Sequence, residues 1–237
     1  MKNNPPVGQP DGNSRIPLVL KLMRKIFIMA LIMAVLLIVS SGRTDWVMAW
    51  IFISIIIVGA GINSFIMARG NPDLIEERSR IKKDAKKWDK VLAPFMALYV
   101  PAIILLVAGL DKRFGWSPEI SPKIMVIALS IAVMGYLLTS WALATNKFFS
   151  AIVRIQKDRE HSVVSAGPYR IVRHPGYTGL MTFNIVTPAI LGSFWAFIPA
   201  VLTIVRTAFE DKTLQDELEG YEEYARQVRY RLVPGVW

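Results

Sequence analysis

The stretch WVMAWIFISIIIVGAGINSFIMA, residues 46–68, decides the fold class of this 237-residue chain. It contains no Asp, Glu, Lys or Arg, and about 20 helical residues are enough to cross the hydrocarbon core of a bilayer. Two further charge-free stretches, Val91–Leu110 and Ile124–Ala144, meet the same requirement. With 53% hydrophobic residues the chain is too apolar for an ordinary soluble domain. The pattern predicts an all-α, polytopic integral membrane protein.

The first apolar stretch, Ile26–Val39, is shorter and follows three basic residues between positions 21 and 25. Such flanks are also typical of a signal peptide, with Ser40-Ser41-Gly42 as the cleavage region. We favour a retained helix, because the region before it is long and Leu18–Leu22 can extend the span. Residues 1–15 are rich in Pro, Asn and Gly and are predicted to be a disordered leader.

The last apolar region, Tyr177–Val205, is uncharged and too long for a single crossing. Gly192-Ser193 interrupts it, with Pro188 and Pro199 on either side, which predicts a membrane hairpin of two packed helices. Four transmembrane helices are therefore expected within residues 16–145, followed by the hairpin over 177–205.

Two polar regions lie between and after the apolar ones. The segment Arg69–Lys90 carries apolar residues among its charges, which predicts an interfacial amphipathic helix after Pro72 with Trp88 at headgroup depth. A solvated charged connector is an equally good interpretation. From Glu210 onward, apolar residues at helical spacing predict a cytoplasmic amphipathic helix that folds back over the bundle. These residues are Leu214, Leu218, Tyr221, Ala225 and Val228.

The net charge of +10 reports orientation rather than nucleic-acid binding. If the N-terminus is cytoplasmic, 24 of the 28 Lys and Arg residues fall on the cytoplasmic side of the predicted spans. This skew is typical of the positive-inside rule and favours attraction to anionic lipid. The expected partner is thus the lipid bilayer, which would be the cell inner membrane if the source is bacterial, and no nucleic acid is expected.

The chain has no Cys and only two His. Disulfides, thiolate nucleophiles and cysteine metal sites are therefore excluded. The histidines form no helical pair and have no carboxylate cluster nearby, so we expect no metal.

The polar stretch GPYRIVRHPGYTG, residues 167–179, lies between two long apolar segments and is the strongest functional signal. Gly167-Pro168 and Pro175-Gly176 interrupt regular helix, and Pro175 is predicted to begin the helix that enters the hairpin. The start of that helix, with its free amides, would suit a ligand carboxylate or phosphate. The side chains that could assist are Tyr169, Arg170, Arg173, His174 and Tyr177. Lipid-headgroup contacts and structural hydrogen bonds are the simpler interpretation of each residue taken alone.

Glu210 and Asp211 form a second candidate wall, directly after the last apolar run. Their carboxylates could receive an amino or hydroxyl donor. The structural alternative is an Arg206–Glu210 ion pair at a solvated helix start.

Together these residues resemble the isoprenylcysteine carboxyl methyltransferase family, in its bacterial-type branch, which is related to phospholipid methyltransferases. The resemblance covers roughly residues 146–237: GPYRIVRHPGYTG, an apolar hairpin, Glu210-Asp211 and GYEEYARQVRYRLVPGVW. The family usually shows Glu-Glu where this chain has Glu210-Asp211.

The resemblance implies an integral-membrane enzyme that uses S-adenosylmethionine to methylate a lipophilic or amphipathic substrate entering from the membrane. The substrate would be isoprenylcysteine carboxylate-like or phospholipid amine-like. Residues 146–237 would bind the cofactor, and Arg173 and Glu210 would be the catalytic residues. The implied cofactor-binding residues are His161, Gly167, Tyr169, His174, Pro175, Tyr177, Glu210 and Asp211.

Two other functions compete with methyl transfer. An NADPH-dependent membrane reductase of the sterol-reductase type has a distantly similar C-terminal region. A non-enzymatic membrane carrier or scaffold is the third class, although spans without ionisable groups argue against ion transport. The sequence leaves the identity of the methyl acceptor open.

Overall fold

The structure is a computed structural model that describes residues 12–78, 84–198 and 204–236. Regular structure in these ranges is entirely helical. The α-helices, in chain order, are α1 Gly12–Ser41, α2 Val47–Gly70, α3 Asp73–Glu77, α4 Lys87–Pro94, α5 Val100–Phe114, α6 Pro122–Thr145, α7 Pro175–Leu191, α8 Ile204–Glu217 and α9 Tyr221–Gln227.

Four helical segments are long and apolar enough to cross a membrane: Leu20–Ser41, Val47–Gly70, Lys87–Phe114 and Pro122–Thr145. Large apolar side chains on these segments are exposed, as expected where lipid rather than water is the surrounding solvent. The prediction of an all-α integral membrane protein with four spanning helices is confirmed.

The third span is one continuous rod made of three pieces. A π-helix, Phe95–Tyr99, joins α4 to α5, and Pro94 and Pro101 lie on either side of it. Proline supplies no backbone N–H to the helical ladder, so a wider local turn is a normal way to continue past it. The irregular part of this helix lies against the internal cavity described below.

The helices α6 and α7 pack closely against each other through two glycines, Gly135 and Gly179. A Cβ built on Gly179 would lie 2.2 Å from the carbonyl oxygen of Gly135 and 2.8 Å from the amide nitrogen of Thr139. Small residues at such a crossing let two backbones approach closely in a membrane bundle. This contact fixes the helix that begins at the end of the Gly167–Gly179 motif.

The first helix is packed into the bundle. Gly109 of α5 meets Ser40 of α1 so closely that a Cβ there would overlap the Ser40 hydroxyl, and Leu37 is in the main apolar core. This packing favours the retained first span. Of the predicted leader, residues 1–11 lie outside the described residues, and α1 begins at Gly12.

The predicted hairpin turn is found at Gly192, which ends α7 in a left-handed conformation at φ 73°. The next residue, Ser193, donates a hydrogen bond of 2.5 Å to the buried carboxylate of Asp111, which also accepts from Ser117. This cluster ties the turn to the end of the third span. Of the predicted hairpin over 177–205, residues 199–203 lie outside the described residues.

The polar regions form a cap over the other end of the bundle. The C-terminal helix is two helices rather than one, because Gly220, at φ 77°, breaks the chain between α8 and α9. The apolar residues predicted for it, Leu214, Leu218, Tyr221, Ala225 and Val228, do pack together in one cluster.

The predicted amphipathic helix after Pro72 is only partly correct. The described part is the short α3, whose Leu74 and Ile75 are buried within the protein instead of facing a membrane surface. Trp88 lies in α4 and packs on the Phe209 ring, with centroids 5.4 Å apart. The segment is thus part of the cap, because its apolar residues find protein partners there.

Candidate functional site

The Gly167–Gly179 motif forms two short helical starts separated by an extended turn. Gly167–Arg170 is a 3₁₀ turn, and α7 begins at Pro175, as predicted. Gly167 has φ 55°, and a Cβ there would lie 2.9 Å from the Thr145 hydroxyl, so this position needs glycine. The turn is therefore pressed directly onto the end of α6.

The C-terminal tail holds the centre of this motif in place. The backbone N–H groups of Arg173 and His174 donate hydrogen bonds of 2.9 Å to the carbonyls of Tyr230 and Arg231. The hydroxyl of Thr178 also donates to the Leu232 carbonyl, at 2.8 Å. These contacts orient the side chains of Arg173 and His174.

Asp211 is fully buried and is the hub of the site. Its carboxylate accepts hydrogen bonds from the side chains of Arg173 at 2.8 and 2.9 Å, His174 at 2.9 Å, Tyr221 at 3.0 Å, Gln215 at 2.7 Å and Arg231 at 2.6 Å. Burial alone would raise the pKa of this carboxyl, but the bonds from His174 and Arg173 outweigh it and hold the pKa well below its usual range. Asp211 is an anion committed to protein partners.

Arg173 is equally committed. Besides its bidentate bond to Asp211, its remaining terminal nitrogen donates to the carbonyls of Val228 and Arg229, both at 2.8 Å. Its side chain is only 6% exposed. In this geometry Arg173 and Asp211 bind each other and hold neighbouring groups in place. The sequence had led us to expect that both would contact the cofactor or the substrate directly.

Glu210 belongs to a different network from its neighbour. The hydroxyl of Tyr177 donates to one carboxylate oxygen of Glu210 at 2.5 Å, and Arg206 in turn donates to the same hydroxyl. Arg206 makes its ion pair with the fully buried Asp89, through bonds of 2.7 and 2.9 Å. The alternative of an Arg206–Glu210 ion pair is therefore wrong, because Asp89 at the start of the third span takes its place.

Tyr169 and His161 are fixed by neighbouring loops. Tyr169 accepts a hydrogen bond of 3.1 Å from Asn146, and its backbone carbonyl accepts one from Tyr224 at 2.7 Å. The His161 ring packs on Phe148 with centroids 4.5 Å apart. Burial, and after it the charge of Arg154, lowers the pKa of His161 to about 4, so this ring is neutral near pH 7.

A second ion-pair cluster joins the loop after α2 to the loop before the motif. Arg154 is buried and pairs bidentately with the buried Glu77, at 2.7 and 2.8 Å, and also reaches Asp84 and Asp158. The Glu77 bond raises the pKa of Arg154. This cluster closes the cap beside the cavity.

A cavity of about 770 Å³ connects these networks to the apolar interior. Of the expected site residues, His161, Tyr169, Arg173, His174, Tyr177 and Glu210 line it. Gly167, Pro175 and Asp211 are not in its wall; the first two shape the backbone, and Asp211 lies behind Arg173 and His174. The apolar end is lined by residues of several spans, among them Met29, Met33, Ile56, Pro101 and Leu105.

The sequence did not reveal several side chains of this site. Asp89 and Glu77 pair with partners 117 and 77 positions away, and Tyr221 and Arg231 reach Asp211 from the tail. The one available signal was Asp89 itself, an acidic residue in the first turn of the helix that leads into the third span. Within the described residues, no group of three His, Asp or Glu side chains could hold a metal ion.

Comparison with known proteins covers the segment that holds the Gly167–Gly179 motif and the acidic pair. Residues 126–219 match the model of the Isoprenylcysteine carboxyl methyltransferase (ICMT) family. This part of the chain is therefore similar to the ICMT family. The match begins within α6 and ends just before α9, so it contains the Gly167–Gly179 motif and Glu210-Asp211. The bacterial-type branch within the family stays a prediction.

Curated relatives carry the same family name over a similar stretch. The "Protein-S-isoprenylcysteine O-methyltransferase" of Homo sapiens is 31% identical over 111 residues, which are 44% of this chain and 39% of the human protein. The "Probable protein-S-isoprenylcysteine O-methyltransferase" of Oryza sativa subsp. japonica is 27% identical over 109 residues, 43% of this chain and 57% of the rice protein. The matches thus span little more than half of these relatives, or less.

The fold is similar to a solved structure titled as the eukaryotic intramembrane Ras methyltransferase ICMT. The TM-score is 0.54 at 18% identity, over 97% of this chain and 88% of that one. At this identity the likeness establishes the fold, which extends beyond the matched residues 126–219 to the N-terminal spans. The names of these relatives do not favour the reductase alternative.

Proposed function

We propose that this protein is an integral-membrane methyltransferase that transfers a methyl group from S-adenosylmethionine to a lipophilic acceptor. The observation that carries the proposal is the cavity. The segment matched by the ICMT family supplies its polar wall, while the N-terminal spans supply an apolar continuation towards the membrane. A charged cofactor and a lipophilic acceptor could therefore meet in one shared cavity.

The residues of the polar wall fit such a cofactor. S-adenosylmethionine supplies an activated methyl group on a sulfonium, together with an amino acid and a nucleoside. Glu210 lines the cavity, and its carboxylate suits the ammonium group of the cofactor. The rings of Tyr177 and Tyr169 offer faces for a sulfonium or a base. The volume also lies within the usual range of ligand pockets.

Arg173 and Asp211 are assigned a positioning role in this proposal. The bond between His174 and Asp211 fixes the imidazole edge that faces the cavity, and Arg173 anchors Asp211 to the tail. With an activated methyl donor, the protein's main tasks are in-line alignment and exclusion of water. Alignment of this kind is worth roughly 7–11 kcal/mol. A carboxylate acceptor needs no base, whereas an amine must lose a proton, and Glu210 is placed to accept it.

Domain roles and orientation follow from the same assignment. Residues 146–237 form the cofactor-binding region, with the hairpin over 177–205, and residues 16–145 supply the spans. The N-terminal region also contributes to the site, because Asp89 pairs with Arg206 and holds it in place. The cap carries most of the basic residues, so we place the cap and the N-terminus in the cytoplasm, where the soluble cofactor is found.

Methyl transfer by purified protein tests the proposal. Protein in lipid nanodiscs is incubated with methyl-labelled S-adenosylmethionine and either a prenylated N-acylcysteine or phosphatidylethanolamine. We expect label in one acceptor, and strongly reduced label with Glu210→Gln and Tyr177→Phe. Glu222→Gln is the matched control, because Glu222 lies on the exposed face of α9 in a pair with Arg226.

Two results would overturn this function. One is the absence of cofactor binding by calorimetry together with no label in either acceptor or in extracted membrane lipids. The other is binding and oxidation of NADPH by the same preparation, which would support the reductase. Transfer that is unchanged in Glu210→Gln and Tyr177→Phe would refute the site assignment while leaving the enzyme class intact.

A further inference from the structure

Arg78 differs from the other arginines that line the cavity. Its guanidinium donates a hydrogen bond of 3.0 Å to the carbonyl of Phe149 and lies 5.4 Å from the centre of the same ring. Its other interactions within the described ranges are long-range electrostatic ones. None of its contacts there is with a carboxylate. Its side chain is exposed and lines the cavity.

The neighbouring cations have anionic partners already. Arg154 pairs with Glu77, Arg173 with Asp211 and Arg206 with Asp89. Each of these pairs is largely or fully buried, so each positive charge is compensated before any ligand arrives. Arg78 is thus the arginine whose charge and donor groups are available to a ligand in the cavity.

Arg78 also lies beside the polar wall. The Phe149 ring that it covers packs on Gly176, where a Cβ would come within 2.4 Å of the ring. Tyr177 and Arg206 both act electrostatically on Arg78. Burial lowers the pKa of Arg78, although an arginine stays charged under these conditions. An anion that enters the cavity would pair with this charge.

We propose that Arg78 binds the carboxylate of an acidic lipophilic acceptor and presents it for methylation. This inference rests on the proposed methyl transfer and assigns the residue that would select an acid over an amine. The guanidinium fork holds the carboxylate while an oxygen lone pair attacks the methyl carbon. One O–C bond forms, one S–C bond breaks, and its electron pair goes to sulfur. No proton moves, and an ammonium acceptor would be repelled by the same arginine.

The kinetic effect of Arg78 is expected mainly in binding. The acceptor loses its negative charge as the ester forms, so the ion pair is at least as strong in the ground state as in the transition state. Removing it should raise KM for the acid and leave kcat nearly unchanged. Hydrogen bonds to charged groups have a strength that corresponds to a roughly ten- to hundredfold change in affinity.

The test compares an acid and its neutral ester with wild type and three variants. The probes are a prenylated N-acylcysteine as substrate and its methyl ester as an inhibitor that lacks the charge. With Arg78→Gln we expect KM for the acid to rise roughly ten- to hundredfold and inhibition by the ester to stay the same. Arg78→Lys should recover part of the loss, because it keeps the charge without the fork. Arg69→Gln is the control, since Arg69 is an exposed arginine at the end of α2 that does not line the cavity.

Calorimetry with S-adenosylmethionine distinguishes this inference from the proposed function. If wild type methylates the acid and Arg78→Gln has the same KM, the inference is refuted and the function stands. It is also refuted if Arg78→Gln weakens the cofactor and leaves the acceptor unaffected. If wild type transfers no methyl group to any acceptor, the proposed function itself fails. Circular dichroism confirms that the variants are folded.

Discussion

Replacing Asp211 by Asn removes one negative charge from the centre of the site and changes its shape very little. The carboxylate is fully buried and accepts hydrogen bonds from five side chains, two of them arginines. The Asn side chain has only one acceptor oxygen, and its NH₂ group would face side chains that donate hydrogen bonds to the carboxylate in the wild type. The variant therefore leaves Arg173 charged, buried and without its anionic partner.

The expected cost follows from the exposure of the two arginines. The side chain of Arg231 is 33% exposed, so water can replace much of what it loses. The side chain of Arg173 is 6% exposed and cannot recover its partner in this way. Breaking one buried pair by removing one member costs about 3–5 kcal/mol. We expect Asp211→Asn to lower the free energy of unfolding by about that amount.

Unfolding in detergent micelles, followed by tryptophan fluorescence, measures this loss. Asp45→Asn is the control, because it makes the same chemical change in the exposed Arg43–Asp45 pair, where water replaces the lost partner and little or no loss of stability is expected. Acid also gives a signature. Since the pKa of Asp211 is depressed, its contribution is complete above the ordinary carboxyl pKa of about 4 and is lost as the pH falls below it. Asp211→Asn should flatten this part of the stability profile.

The hub interpretation is refuted if Asp211→Asn is as stable as Asp45→Asn. If that stable variant also failed to bind S-adenosylmethionine, the carboxylate would be a direct cofactor contact, as the family resemblance had implied. Normal stability together with normal cofactor binding would remove both roles.

Other variants test separate parts of the structure. Gly179→Ala should destabilise the bundle by about 1–3 kcal/mol in the same unfolding assay, because the added Cβ would meet the backbone of α6. Gly61→Ala is the control and should not destabilise the protein, because nothing lies within 4 Å of a Cβ at that position. Equal stability of the two variants would contradict the close packing of α6 on α7. Glu210→Ala should reduce methyl transfer without unfolding the protein, because Glu210 has no buried arginine partner; an unfolded variant would show that it is structural. The pKa of His161 is lowered to about 4, so the free energy of unfolding should decrease as the pH is lowered from about 6.5 to about 4. His161→Gln should make stability less dependent on pH in this range. An unchanged pH dependence would contradict the depressed pKa.

Helix number and membrane character could be predicted because they depend on local composition. The backbone N–H and C=O groups of a spanning segment must all be hydrogen-bonded within the segment, because lipid offers no partners. An uncharged stretch of sufficient length therefore predicts a spanning helix almost without further information. The start of α7 at Pro175 and the turn at Gly192-Ser193 were readable for a similar reason, since proline and glycine restrict the backbone at their own position. The resemblance carried by residues 167–179 identified the wall of the cavity in the same local way.

The partners of the charged residues could not be read from the chain. Glu210 and Asp211 are neighbours in sequence, yet one faces the cavity through Tyr177 and the other is buried under Arg173. Helical geometry turns adjacent residues about 100° apart, and only the surrounding helices decide which side is buried. For this reason the expected Arg206–Glu210 pair was wrong: the tertiary fold brings Asp89 to Arg206 from 117 positions away.

The sequence by itself determined that this is a helical membrane protein with a polar motif, residues 167–179, at one end of its bundle. The tertiary structure alone decided which side chains are available to a ligand. Three cavity arginines are neutralised by carboxylates from distant segments, and Arg78 is left facing the cavity. The physical reason is that burying a charge is tolerable only with a partner, and the folded chain, not its sequence order, sets which partners are within reach.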